Sequence, residues 1–190
     1  QCLKDGRYTK EPQIYAKTRD EGISDEDWDH ITIDFALARL ETKKAAIADH
    51  RALGHDFPDV QPVVLISARD TDHADAIGEW LIERRGFAPE SVHVTHSNKS
   101  ETETEISNLL DLDRPGNPIQ VVVQVDRLSE GWDVTTVYVF APLRPMQSFT
   151  LTMQSTGRGL RLPTGIRTGD PELDSLDVVL FGRESPKEIL

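Results

Sequence analysis

Residues 121–163, VVVQVDRLSEGWDVTTVYVFAPLRPMQSFTLTMQSTGRGLRLP, decide how this 190-residue chain is read. Two apolar runs, 119–125 and 136–141, are nearly continuous and contain several valines, the pattern of strands buried on both faces of a parallel sheet. A polar turn containing Gly131 follows the first run. The second leads past Pro145 into a helix predicted over 147–156, which Gly157 and Gly159 stop. From Val134 to Gly169 there is no Asp or Glu, yet Arg144, Arg158, Arg161 and Arg167 fall inside. With 33 acids in the chain, roughly six would be expected there. A segment kept clear of carboxylates while holding guanidinium groups suits an anionic phosphate, because each carboxylate would repel it.

The same strand and helix rhythm extends toward the amino terminus. Pro62 introduces an apolar run at 63–67, read as a buried strand. A helix follows, capped by Asp70 or Thr71, with Ala74, Ile77, Gly78, Leu81 and Ile82 on one stripe and Gly86 as its stop. Residues 91–95 (SVHVT) alternate like a strand, and Ser100 with Glu103 forms a capping box ahead of Ile106, Leu109 and Leu110. Residues 113–118 (DRPGNP) are a turn by composition. Farther back, Ser24 and Asp27 mark the start of a long helix through Trp28, Ile33, Leu40 and Ile47, ending at Gly54. Residues 1–23 read as an irregular arm or linker, which leaves 24–190 as the domain. Residues 178–181 (VVLF) supply a last strand. Such an order calls for an α/β fold with a mainly parallel sheet covered on both faces, whose ligands bind beyond the carboxyl ends of the strands.

Composition narrows the function classes. A net charge of −12 argues against sequence-independent wrapping of nucleic acid, which draws its free energy from many Lys and Arg contacts to phosphate. The single Cys2 excludes an internal disulfide, and His93 and His96 lack the spacing of a zinc site. No apolar run approaches a membrane span and no signal sequence opens the chain, so a cytoplasmic protein without a membrane partner is expected. A first residue other than Met and the ending SPKEIL read as a fragment of a longer protein. Asp70, Asp72 and Asp75 lack the glycine and closing Glu of a calcium loop and fit a capped helix start. Trp28 and Trp80 are read as packing residues; Trp132 packs on the sheet or stacks on a base. PELDSLDVV is read as a loop and strand rather than a nuclease core, and no GxSxG elbow supports a hydrolase triad.

In the turn at 126–133, Gly131 lets backbone pass close to a ligand and Asp133 can accept from ribose hydroxyls, although ordinary turn chemistry favours the same residues. One strand and one helix later comes Gln154-Ser155-Thr156-Gly157-Arg158-Gly159-Leu160-Arg161. It resembles motif VI (QxxGRxxR) of superfamily 2 helicases, SEGWDV then resembles motif V, and VVLISARDTDHAD stands in the place of motif IV. The EGWD and GRGLRLP wording is most like the restriction (Res) subunit of type III restriction enzymes and related DEAD/DEAH-type helicases. The resemblance covers roughly residues 62–181, the second, C-terminal RecA-like domain of such a motor.

That resemblance implies a RecA-like, P-loop NTPase-type three-layer sandwich. It implies that Arg158 and Arg161 are arginine fingers, that Gln154 joins the network around the γ-phosphate and water, and that Gly157 shapes the chain path. Gly131 and Asp133 then border the nucleotide, and Ser67, Arg69, His96, Ser97, Asn98, Lys99 and Arg127 are candidates for nucleic-acid phosphate or sugar; Val125 is apolar where many relatives carry Ser or Thr. ATP and Mg2+ are implied to be held mainly by a preceding RecA-like domain, since this chain contains neither GxxxxGK[ST] nor a DExH strand end. The implied partners are that N-terminal RecA-like domain, DNA with RNA left open, and a methyltransferase or nuclease. The chain is accordingly expected to be the C-terminal motor domain of an ATP-dependent DNA helicase or translocase, a hydrolase in the parent protein but not by itself. The alternative is a non-catalytic nucleotide-binding or regulatory α/β module.

Overall fold

In a computed structural model that describes residues 9–125, 134–143 and 161–182, the apolar runs become the strands of one sheet. The elements follow as β1 (Glu11–Thr18), α1 (Asp25–Ala52), β2 (Val63–Ser67), α2 (Thr71–Arg85), β3 (Val92–Thr95), α3 (Glu103–Leu110), β4 (Val121–Gln124), β5 (Val137–Pro142) and β6 (Ser175–Gly182). The strand order is β1-β6-β5-β2-β4-β3, and every described pairing is parallel. β2, β4 and β5 are buried along their whole length, as their unbroken apolar runs require.

Two helices cover one face. Ile33, Ala36, Leu40 and Ile47 of α1 and Ala74, Ile77 and Leu81 of α2 meet Val64, Ile66, Val121, Val123 and Val139. On the other face Leu109 and Leu112 pack with Val63, Leu65, Val122, Phe140 and Val178. The result is the expected α/β fold, a parallel sheet with helices on both faces. Burying each such side chain contributes roughly 1.5–3 kcal/mol, so the sheet and its two cores dominate the stability of the fold.

Helix ends follow the sequence signals. Ser24 caps α1 by accepting from Asp27 N, and Asp70, the first of the two candidates, caps α2 by accepting from His73 N. Gly86 closes α2 in the left-handed conformation at φ 72°. Gly78 has a different purpose: a Cβ there would lie 2.5 Å from Val94 Cγ2, so its absence lets α2 settle against β3.

Three expectations are corrected. Residues 1–23 are not wholly irregular, because Glu11–Thr18 pairs with all eight residues of β6 as an edge strand. Its mostly exposed side chains and Pro12 hide the strand pattern, since the ordering comes from a partner more than 160 positions away. The capping box of α3 is Thr102 with Glu105 rather than Ser100 with Glu103. Only Leu109 of the expected α3 stripe is buried, Ile106 and Leu110 being exposed. The helix expected at 147–156 lies outside the described residues, as does Trp132. Trp28 is buried against Phe181, whereas Trp80 is half-buried between the His30 ring and Arg85.

α1 is fastened to β6 by a buried ion cluster. Lys43 Nζ lies 3.1 Å from Asp177 Oδ1, with both side chains fully enclosed. It also lies 3.1 Å from Glu172 Oε2 and donates to Ser175 Oγ at 2.8 Å. Arg39 completes the cluster, donating to Asp177 Oδ2 at 2.6 Å and Glu172 Oε2 at 2.5 Å. PELDSLDVV is thus a turn and strand whose carboxylates face lysine, arginine and backbone.

Candidate functional site

An all-parallel sheet puts every strand's carboxyl end on one edge and every amino end on the other. The sequence-predicted residues divide between these edges. Arg127, Gly131, Asp133, Gln154, Gly157 and Arg158 lie outside the described residues.

The carboxyl edge carries Ser67, Arg69, His96, Ser97, Asn98 and Lys99, at the ends of β2 and β3 on either side of β4. They differ in access. Ser67 is fully buried, and its hydroxyl accepts from Gln124 Nε2 at 3.4 Å. His96 is also buried, its Nε2 3.1 Å from Asp75 Oδ1 of α2. Ser97 and Asn98 are exposed and Lys99 partly so, on a short turn in which Lys99 N donates to His96 O at 3.2 Å.

Arg69 is held from below. Its Nη1 lies 2.6 Å from Asp29 Oδ2, a buried carboxylate of α1. Arg69 N donates to His73 Nδ1 at 3.2 Å, and His73 Nε2 lies 3.2 Å from the same Asp29 oxygen and 3.2 Å from Arg69 Nη2. This arrangement orients the guanidinium at the edge while neutralising part of its charge.

Glu101 ties the loop after β3 back to the sheet. Its Oε1 is 2.8 Å from His93 Nε2 and its Oε2 accepts from Thr95 Oγ1 at 3.2 Å. Burial pushes the His93 imidazole below its ordinary pKa, against the opposing pull of Glu101. His93 and His96 therefore face different carboxylates. Among the described residues no three His, Cys, Asp or Glu side chains stand together as metal ligands, and no described loop has the phosphate-cradling sequence.

Arg161 belongs to the amino edge. Its main chain forms an antiparallel bridge with Thr9, and its carbonyl accepts from Lys10 Nζ at 2.9 Å. The Lys10 ammonium also donates to Thr135 O and sits 4.5 Å from the centre of the Tyr138 ring. Thr135 and Thr136 are fixed in turn by Asp113, whose carboxylate accepts from Thr135 N at 2.9 Å, Thr135 Oγ1 at 3.0 Å and Thr136 N at 3.2 Å. Burial pushes Lys10 down to about 7, with Asp113 pulling it up and Lys43 pushing it down.

The chain leaving Arg161 is pinned further. Arg167 Nη2 pairs with Glu11 Oε1 at 2.6 Å, and Asp174 accepts from Thr168 N at 2.8 Å and Gly169 N at 2.9 Å. Asp29, His73, Asp75, Glu101, Lys10 and Asp113 were not legible as site residues. Each acts through a partner distant in sequence or through a loop geometry that no local motif records.

No protein-family model matches the chain. Over 91 residues, 45% of this chain, it is 32% identical to a probable type III restriction-modification enzyme HindVIP Res subunit of Haemophilus influenzae. The chain spans 17% of that relative's length. Among solved structures it is similar to the C-terminal part of the Fun30 ATPase domain, with TM-score 0.46 and 13% identity over 67% of this chain and 37% of that one. It is also similar to Mss116p DEAD-box helicase domain 2 bound to an RNA duplex, with TM-score 0.46 and 12% identity over 90% of this chain and 54% of that one. The resemblance to the restriction-subunit branch read from EGWD and GRGLRLP is borne out by the curated relative.

Proposed function

We propose that the chain, similar in sequence to a type III restriction Res subunit, is the C-terminal RecA-like motor domain of an ATP-dependent DNA helicase or translocase. The observation that carries this reading is QSTGRGLR at 154–161, set in an acid-free run in a chain of net charge −12. Phosphoryl transfer spreads negative charge over the γ-phosphoryl oxygens, and an inserted guanidinium accelerates known systems by about 10³ to 10⁵. Arg158 and Arg161 supply two such groups. Gln154 orients the attacking water, Gly157 lets the chain turn tightly, and Gly131 and Asp133 border the ribose.

The carboxyl edge supplies the nucleic-acid contacts. Ser97 and Asn98 are exposed and Lys99 partly exposed for backbone contact, Arg69 is oriented by Asp29 and His73, and Arg127 is a further candidate by its place in the sequence. Ser67 and His96 support these loops from inside the protein. The nucleotide and Mg2+ are held by a preceding RecA-like domain, so this domain completes a composite site and does not hydrolyse ATP alone. The restriction-subunit likeness supports a methyltransferase or nuclease as a further partner.

The reading is tested by ATP hydrolysis of the full-length protein with and without DNA. Turnover stimulated by DNA is expected. A full-length protein lacking an upstream GxxxxGK[ST] sequence and showing no turnover would leave the regulatory nucleotide-binding module instead.

A further inference from the structure

We infer that Lys10 is a positioning residue for Arg161, the centre of a clamp by which the segment entering β1 sets where the arginine-bearing chain emerges. The inference rests on the reading of Arg161 as a finger and names what aims it. Three consecutive residues grip the same outgoing chain. Thr9 bridges Arg161 through the main chain, Lys10 donates to the Arg161 carbonyl at 2.9 Å, and Glu11 pairs with Arg167 at 2.6 Å.

The middle contact has a built seat. Lys10 is only 2% exposed, an unusual place for an ammonium unless its donors are used. It bridges two carbonyls from separate parts of the chain, Arg161 O and Thr135 O, and lies over the Tyr138 ring. Thr135 is itself immobilised by the Asp113 carboxylate. The position of the Arg161 backbone is thereby referred through Lys10 to the amino end of β5 and, through Asp113, to the turn that precedes β4.

A finger needs this anchoring. Its guanidinium must reach a reacting group within a fraction of an ångström, and misplacement by about 1 Å costs up to about 10²-fold in rate. A side chain of several rotatable bonds meets that demand only if its own backbone is fixed. A merely structural ammonium would lower the folded fraction without changing the turnover of each molecule that binds ATP.

The test compares Lys10→Met and Arg161→Ala with wild type in the full-length protein, with kcat expressed per ATP-binding site titrated. Lys10→Met is expected to lower kcat about 10- to 100-fold while leaving KM for ATP within about 2-fold, the signature of an interaction realised in the transition state. Hydrogen exchange in a peptide covering residues 161–166 is expected to quicken. Lys10→Gln, which is uncharged and shorter but keeps a polar amide, carries the same expectation if Lys10→Met does not fold.

Wild-type kcat per site in the folded Lys10 variant, with Arg161→Ala inactive, overturns the positioning role and leaves the finger reading intact. Wild-type kcat in Arg161→Ala overturns both.

Discussion

Replacing Asp177 by leucine removes the enclosed acid of the cluster that fastens α1 to β6. Lys43 Nζ then keeps Glu172 Oε2 at 3.1 Å and Ser175 Oγ at 2.8 Å, but Glu172 is 36% exposed and solvent screens that pair. Breaking a buried pair by removing one partner typically costs about 3–5 kcal/mol, because it strands the other charge. The remaining contacts of Lys43 place Asp177→Leu near the lower end, about 3 kcal/mol, or roughly 6–12 °C in Tm for a chain of this size.

The reverse substitution is milder. Lys43→Met leaves Asp177 with Arg39 Nε at 2.6 Å, and about 2 kcal/mol is expected. If stranded charge is the main cost, the double variant Lys43→Met/Asp177→Leu should be less damaged than the two losses summed, by about 1–3 kcal/mol. Urea and thermal unfolding of the wild type, both single variants and the double variant at neutral pH supply the cycle. An Asp177→Leu protein within about 0.5 kcal/mol of wild type, or strict additivity, refutes this account of the cluster.

Lys10 gives a pH signature. Its folded pKa of about 7 lies below the ordinary 10.5, so between those values the unfolded chain binds one more proton than the folded one. The contribution of Lys10 to stability therefore rises with pH from about 7 toward 10.5 and is flat below, where both states are charged. Urea unfolding of wild type and Lys10→Met across this window should show their stability difference shifting in favour of wild type as pH increases; a constant difference contradicts the assignment. For the carboxyl edge, Lys99→Ala should weaken DNA binding at low salt and reduce the salt slope by about 1, as loss of one phosphate contact requires. An unchanged slope removes Lys99 from the interface.

The sequence exposed those features whose cause is local. The Ser24 cap, the Asp70 cap, Gly86 and the valine runs of β2 and β4 announce themselves because capping and burial on both faces leave a short-range pattern. β1 left none, since its order comes from β6 and its side chains are mostly exposed.

The α3 cap shows how a tertiary contact chooses between equal local signals. Ser100 with Glu103 and Thr102 with Glu105 have the same spacing, but Glu101 is drawn inward to His93 and Thr95, and the helix begins after it. At the candidate site, the glycine and arginine motifs were readable because family resemblance carries them. Lys10 was not, because an isolated lysine in a polar stretch acquires meaning only when Thr135 and Arg161 are brought to it from more than 120 residues away.

ATP turnover of Arg158→Ala in the full-length protein, measured beside ATP binding, separates a finger from a bystander. Turnover is expected to fall about 10³-fold or more with ATP affinity largely kept, because the guanidinium acts on charge that develops in the transition state. Wild-type turnover in that variant would contradict the finger assignment, and with it the reading of this chain as half of a motor's catalytic site.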